Sequence, residues 1–143
     1  MTAITRIGAT AGAQMPHRDQ DAPLETQVAD AAQAALEAWR RRGLEGTVEL
    51  ASTQMPAVFA VGVLSIEFLV HAWDFAMAAD RHVGVSEPVS DYVEGLVSKV
   101  ITPQIRAGGR FADPVRPAAD AGVLDRLIAY TGRNPVVAQT STN

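Results

Sequence analysis

Residues 55–79 read MPAVFAVGVLSIEFLVHAWDFAMAA, the one stretch of the chain apolar and long enough to form a bilayer-length helix. Its apolar character on all sides predicts a helix that other helices must cover. Glu67, His71 and Asp74 interrupt it. In a helix His71 lies about 40° round the axis from Glu67, and Asp74 about 20° to the other side, so they share one narrow face. We therefore expect all three to face the interior of a helical bundle and to have partners there.

The spacing of these residues predicts a metal site. Glu67 and His71 are one turn apart, with their Cβ atoms about 6 Å apart, so both can bind one divalent cation such as zinc. Asp74 is expected to lie behind the ligands and to accept the second imidazole N–H, or to pair with a neighbouring helix. A Glu67–His71 ion pair, or a His71–Asp74 hydrogen bond without metal, would satisfy the same spacing.

Composition excludes several classes of protein. A chain of 143 residues, 48% of them hydrophobic, can form one domain with a substantial core. It has no cysteine, so thiol chemistry would need an external thiol. The net charge of −4 argues against nucleic acid, and the basic cluster 40–42 falls at a predicted helix end, where it complements the helix dipole. Without an apolar leader after Arg6, and with charges in the central stretch, we expect a cytoplasmic protein that does not span a membrane.

The distribution of small and polar residues predicts three segments. Residues 1–22 are aperiodic and are expected to form a flexible N-terminal arm. Residues 23–134 are expected to form the helical-bundle domain, and residues 135–143 a flexible tail. Within the bundle, the alternation over 47–50 indicates an extended connector too short to found a sheet.

Proline, glycine and apolar periodicity predict an all-helical domain. One helix should begin at Pro23 and end at Gly43, a central helix should begin at Pro56, and another should begin at Ser86. A last short helix is expected near residues 122–131. The apolar positions that recur at helical spacing are Val28, Ala32, Ala35, Leu36 and Trp39 in the first helix, and Val89, Val93, Leu96, Val97, Val100 and Ile101 in the third.

Three stretches of the chain carry a family resemblance: EFLVHAWDFA at 67–76, PAADAGVLDRL at 117–127 and TGRNP at 131–135. Together they resemble the actinobacterial metal-binding proteins related to mycothiol-dependent maleylpyruvate isomerase, which are DinB-like helical bundles. The resemblance covers roughly residues 29–135. It implies that Glu67 and His71 match two metal ligands. It also implies a zinc-like ion, mycothiol as the external thiol, and transferase or isomerase chemistry.

The chain departs from this family at its N-terminal side. Such proteins usually begin with two more helices, in which Pro-Gly-Trp precedes an Asp-His pair that supplies the remaining ligand, and this chain contains neither motif. His17, in the predicted arm, is a candidate third ligand; its alternative is a solvated histidine. Arg126 and Arg133 are candidates to bind a carboxylate of substrate or thiol. Their alternative is to cap helix carbonyls or to pair with surface acids.

The missing helices bear on assembly and function. They leave more apolar surface than one chain can cover, so we expect an incomplete bundle completed by a homodimer with antiparallel central helices. Such a dimer would bring two Glu67/His71 pairs together. A truncated reading of a longer gene product is the alternative. Three functions remain open: a thiol-dependent enzyme, a non-catalytic bundle that binds metal or a small ligand, and a remnant with a polar network only.

Overall fold

The computed structural model describes residues 2–14, 21–50, 52–109 and 111–135. These residues form six helices and one two-stranded sheet, so the chain is mostly helical, and the prediction of an all-helical chain is confirmed in part. The chain divides into two compact units, residues 1–67 and 68–143, and the division falls within α3. In order, the elements are α1 (Thr2–Thr10), α2 (Leu24–Arg42), β1 (Thr47–Leu50), β2 (Thr53–Pro56), α3 (Ala57–Ala78), α4 (Glu87–Val100), α5 (Pro103–Ala107) and α6 (Val123–Tyr130).

Helix α1 occupies part of the segment predicted to be an unstructured arm. The flexible arm predicted over residues 1–22 therefore contains a helix at residues 2–10. Ile4 and Ile7 lie on one face of α1 and are 8% and 2% exposed, and α1 packs on α2 and β1. Burying each isoleucine contributes about 1.5–3 kcal/mol, which favours the helix. Two isoleucines in nine residues are too few to produce a periodic signal in the sequence.

Helix α2 begins after Pro23 and ends at Gly43, as predicted. Gly43 has φ +77°, a conformation that glycine adopts without the penalty of a Cβ atom. Leu36, predicted to be in the core, is 42% exposed. The buried face of α2 is therefore rotated about the helix axis from the predicted one. Most of its side chains are small, which lets a neighbouring element approach closely. Its members are Ala31, Ala35, Ala38 and Trp39.

The connector after α2 is a β-hairpin. β1 pairs antiparallel with β2, with Thr47 opposite Pro56 and Leu50 opposite Thr53. Val48 is 6% exposed and anchors the hairpin in the first unit. The prediction that this connector was too short to found a sheet is wrong, because its partner strand is the next segment of the chain.

Helix α3 follows Pro56 directly, as predicted. By length and composition alone it could cross a membrane: the mean hydropathy of its most apolar window is 1.6, and 39% of that window is buried within the protein. The core helix of a soluble protein also meets this criterion. The prediction of a protein that does not span a membrane therefore stays a prediction.

The second unit is built around α4 and α6, which pack against each other. Helix α4 follows Ser86 and α6 lies within the predicted range. Val89, predicted to be buried, is 48% exposed, since it lies in the first turn of α4 ahead of the region that faces α6. The buried apolar side chains of this unit are Leu69, Val70, Trp73, Val93, Val97, Ile101, Leu127, Ile128 and Ala129.

Candidate functional site

The candidate site lies on the C-terminal half of α3. Glu67 is half-buried, the side chain of Asp74 is 35% exposed and that of His71 is 55% exposed. Within a single chain His71 is therefore not covered, and the expectation that all three face a bundle interior stays a prediction. Within the second unit, α3 buries the side that carries Trp73, whereas Phe75, one turn after His71, is 57% exposed.

Asp74 joins His71 to the C-terminal part of the second unit. Its Oδ2 atom lies 3.2 Å from Nδ1 of His71. Arg133 donates to the same carboxylate twice, from Nε to Oδ1 at 2.6 Å and from Nη2 to Oδ2 at 2.8 Å. A bidentate guanidinium–carboxylate pair fixes the plane of the carboxylate. Asp74 thus accepts bonds from both partners that the sequence offered as alternatives, the imidazole and a neighbouring element.

The guanidinium of Arg133 is itself held in place. Its Nη1 atom donates to Oγ1 of Thr131 at 3.1 Å, and the Thr131 hydroxyl donates to the carbonyl of Ile128 at 2.7 Å. Thr131 is 2% exposed, and Arg133 follows Gly132, which has φ +91°. The turn after α6 therefore positions Arg133, Arg133 positions Asp74, and Asp74 orients the ring of His71.

The electrostatics of Asp74 favour its ionised form. Burial raises its pKa, but the hydrogen bonds and charges of Arg133 and then His71 outweigh burial, and the pKa of Asp74 lies below its usual value of 3.8. The carboxylate is therefore negative at neutral pH and stabilises the imidazole tautomer that carries its proton on Nδ1. In that tautomer Nε2 is the nitrogen with a lone pair for a ligand.

Ligand-type residues are sparse around this network. Among the residues that the structure describes, there is no group of three or more His, Cys, Asp or Glu side chains that could hold a metal ion. Asp74 is bound to Arg133, and Glu67 and His71, which also interact within the chain, stay the predicted ligands on α3. His17, the candidate third ligand, lies outside the described residues.

The two predicted substrate-binding arginines are both paired with carboxylates of the chain. Arg126 donates to Glu94 from Nε at 2.9 Å and from Nη2 at 3.2 Å, and Nη1 donates to the carbonyl of Ala121 at 3.1 Å. This matches the alternative in which Arg126 pairs with a surface acid and caps a carbonyl. Arg133 pairs with Asp74. Both guanidinium groups are already bound to carboxylates of the chain, and their role in substrate binding stays a prediction.

Sequence analysis did not identify the acidic partners of the two arginines, because each partner lies far from its arginine along the chain. Glu94 pairs with Arg126 from 32 positions away, and Asp74 lies 59 positions from Arg133. Sequence analysis noted Thr131 only as part of the TGRNP stretch and predicted no role for it. The one local signal was the i,i+3 spacing of His71 and Asp74, and that pair is formed.

Comparisons with known proteins relate the chain to mycobacterial sequences. It is 26% identical over 92 residues to the uncharacterized protein Rv0738 of Mycobacterium tuberculosis strain H37Rv, and equally to the uncharacterized protein MT0763 of strain CDC 1551. The alignment covers 64% of this chain and 50% of each relative, so the chain spans about half the length of the curated relatives it matches. No family model and no solved structure matches the chain. The DinB-like fold therefore stays a prediction.

Proposed function

We propose that this chain is a DinB-like helical bundle that binds a divalent cation, most simply zinc, through Glu67 and His71. The observation that supports this proposal is the orientation of His71 by Asp74. Metal-binding histidines generally donate their second ring N–H to a carboxylate or carbonyl, and this contact sets the ring and raises its basicity. Arg133 makes the support rigid, because it holds both oxygens of Asp74.

A single chain, however, supplies only part of the ligand set for such a site. A catalytic zinc typically has three protein ligands, and the described ranges offer two candidates on α3. We propose that a second copy supplies the others, with antiparallel α3 helices and a Glu67/His71 pair from each copy. The exposure of His71 and Phe75 on α3 agrees with a partner on this face.

The same features favour a binding function over turnover. When bound, the ion would lower the pKa of a coordinated external thiol, which is the chemistry that the family resemblance implies. A cation with four protein ligands from two chains has no open position for that thiol. Arg126 and Arg133 are also engaged with Glu94 and Asp74. A non-catalytic, dimeric metal-binding bundle is therefore the function that the geometry supports best, and we propose that it is cytoplasmic.

Metal analysis combined with mass in solution tests this proposal. Protein purified without chelator is expected to carry one zinc per two chains, and sedimentation should show a dimer that dissociates in chelator. His71→Ala and Glu67→Ala should each lose the metal and the dimer. Asp74→Asn should weaken metal retention less, by about 10- to 100-fold, because it acts through His71.

His82→Ala is the matched control for this experiment. His82 is exposed and lies after the end of α3, so its loss should leave zinc content and mass unchanged. If His71→Ala and Glu67→Ala both retain full zinc, the ion binds elsewhere. A zinc-loaded protein that sediments as a monomer would remove the second copy from the proposal.

A turnover assay separates the binding protein from the enzyme. Mycothiol and small electrophiles, including maleylpyruvate, are incubated with zinc-loaded protein, and conjugation and isomerisation are followed. We expect no rate above that of His71→Ala or of the metal-free protein, because the shared ion has no open position. A zinc-dependent rate that His71→Ala abolishes would instead favour the thiol-dependent transferase or isomerase.

A further inference from the structure

A second candidate site lies in the second unit, in a cleft bounded by α4, α6 and the segment 111–122. The cleft has a volume of about 400 Å³. Clefts that bind small molecules are roughly 300–1,000 Å³ and mostly apolar, with a few polar groups that orient the ligand. Val97 lines this cleft from α4, and Pro114, Val115 and Pro117 line it from the connecting segment. Its walls therefore suit an apolar body.

The cleft is held in shape by hydrogen bonds and a ring contact that involve its lining residues Val115 and Tyr130. The backbone N–H of Val115 donates to the carbonyl of Ala129 at 2.9 Å. The guanidinium of Arg106 donates to the carbonyls of both Ala112 and Tyr130, and it stacks over the Tyr130 ring at 4.8 Å. These contacts fix the connecting segment to the end of α6. A ligand would enter a preformed cleft and would lose little affinity to ordering it.

One wall carries an ion pair with unused hydrogen-bonding capacity. Arg126 and Glu94 both line the cleft. Within the described part of the chain, Arg126 uses three of its five N–H groups, two on Glu94 and one on the carbonyl of Ala121. Each oxygen of Glu94 accepts one of those bonds and keeps a second lone pair. The pair therefore presents donors and acceptors side by side.

The charge balance selects the kind of head group that fits. Arg126 and Glu94 neutralise each other, and Asp91 adds a further negative charge close enough to act on Arg126. A simple carboxylate bound to the remaining N–H groups of Arg126 would be repelled by the negative charges of Glu94 and Asp91. A head group that both donates and accepts can bond to Glu94 and Arg126 together without breaking their pair.

We propose that this cleft binds a small molecule with an apolar body and a head group that both donates and accepts hydrogen bonds, as an amide or an amino-acid zwitterion does. The apolar body lies against Val97 and Val115, and the head group faces Arg126 and Glu94. This site shares no residue with the proposed metal ligands of α3, so its test does not depend on the proposed function.

Titration of the 143-residue chain with three matched probes tests the proposal. The probes are 3-phenylpropanamide, L-phenylalanine and 3-phenylpropanoate, which share a phenyl body and differ in the head group. Backbone amide NMR shifts are followed at the cleft residues. We expect saturable binding with a Kd of about 1 mM for the amide, the zwitterion or both, and at least about tenfold weaker binding of the propanoate. The first two probes show which head group is preferred.

Two variants locate the binding, each with a matched control. Ser98 is exposed on α4 and lines the cleft, so Ser98→Trp should fill it and abolish binding, whereas Lys99→Trp, at an exposed position outside the lining, should not. Arg126→Gln should weaken binding about tenfold or more, and Arg116→Gln should leave it unchanged. The proposal is overturned if neither the amide nor the zwitterion saturates, if the propanoate binds best, or if Ser98→Trp binds as the wild type does.

Discussion

Gly132→Ala is expected to lower the free energy of unfolding by about 2–4 kcal/mol. Gly132 has φ +91°, and a Cβ atom there would lie 2.8 Å from Cβ and 2.9 Å from the carbonyl oxygen of Ala112. That carbonyl accepts a hydrogen bond from Arg106, which restrains its retreat. The variant should also displace Arg133 from Asp74, so zinc retention should fall with stability. Chemical denaturation and metal analysis measure the two effects.

Gly95→Ala is the matched control because it makes the same change within α4. Gly95 is exposed in the helix, and a Cβ atom there would meet nothing within 4 Å. Alanine is favoured over glycine in a helix interior by about 1 kcal/mol, so this variant should be more stable than the wild type. The two substitutions should therefore move the denaturation midpoint in opposite directions. Equal shifts would show that the close approach of residues 112 and 132 does not exist in solution.

Leu127→Ala is expected to cost about 2–5 kcal/mol of stability, a large part of the total for a domain of this size. Leu127 is 0% exposed and lies on α6, which packs against α4. Removing three carbon atoms there forfeits the transfer free energy and leaves a cavity that the surroundings fill only in part. The midpoint and slope of chemical denaturation, read by circular dichroism, give the cost.

Leu36→Ala makes the same chemical change where the structure places the side chain outside the core. Leu36 is 42% exposed on α2, and alanine is the better helix former, so the change in stability should stay within about 1 kcal/mol. This control also tests which face of α2 is buried, since the periodicity of the sequence predicted that Leu36 is a core residue. A loss of stability as large as that of Leu127→Ala would show that Leu36 is buried, as the periodicity predicts.

Local signals allowed much of the helical framework to be predicted. Pro23 and Gly43 bracket α2, Pro56 precedes α3 and Ser86 precedes α4, because proline and glycine restrict the backbone wherever they occur. The buried positions Val93, Val97 and Ile101 follow the helical period of α4 for the same local reason.

The missed elements are those whose stability comes from partners. Helix α1 depends on the burial of Ile4 and Ile7, and β1 depends on pairing with β2. The exposure of His71 has a similar origin. A helix that is apolar on all sides gives no indication of which side its neighbours will cover, so the sequence could not assign His71 to the outside.

The candidate site was predictable in its local half only. His71 and Asp74 are three residues apart on one helix, so their contact follows from helix geometry. Arg133 meets Asp74 across 59 positions, and this contact depends on the packing of the whole second unit. Arg126 also pairs with a carboxylate that is distant in the sequence, so the partner of its guanidinium could not be predicted from a motif alone.

The separation between Asp74 and Arg133 has a consequence for the order in which the site matures. Contacts between distant positions form late in folding, because the chain entropy of closing the intervening loop must be overcome first. During synthesis from the N-terminus, α3 can form long before residue 133 leaves the ribosome, and His71 then lacks its anchored carboxylate. In a nascent chain arrested before residue 133 the ring of His71 should therefore be less ordered than in the released protein, even where α3 is already helical. The histidine acquires its final orientation only when the turn after α6 has closed.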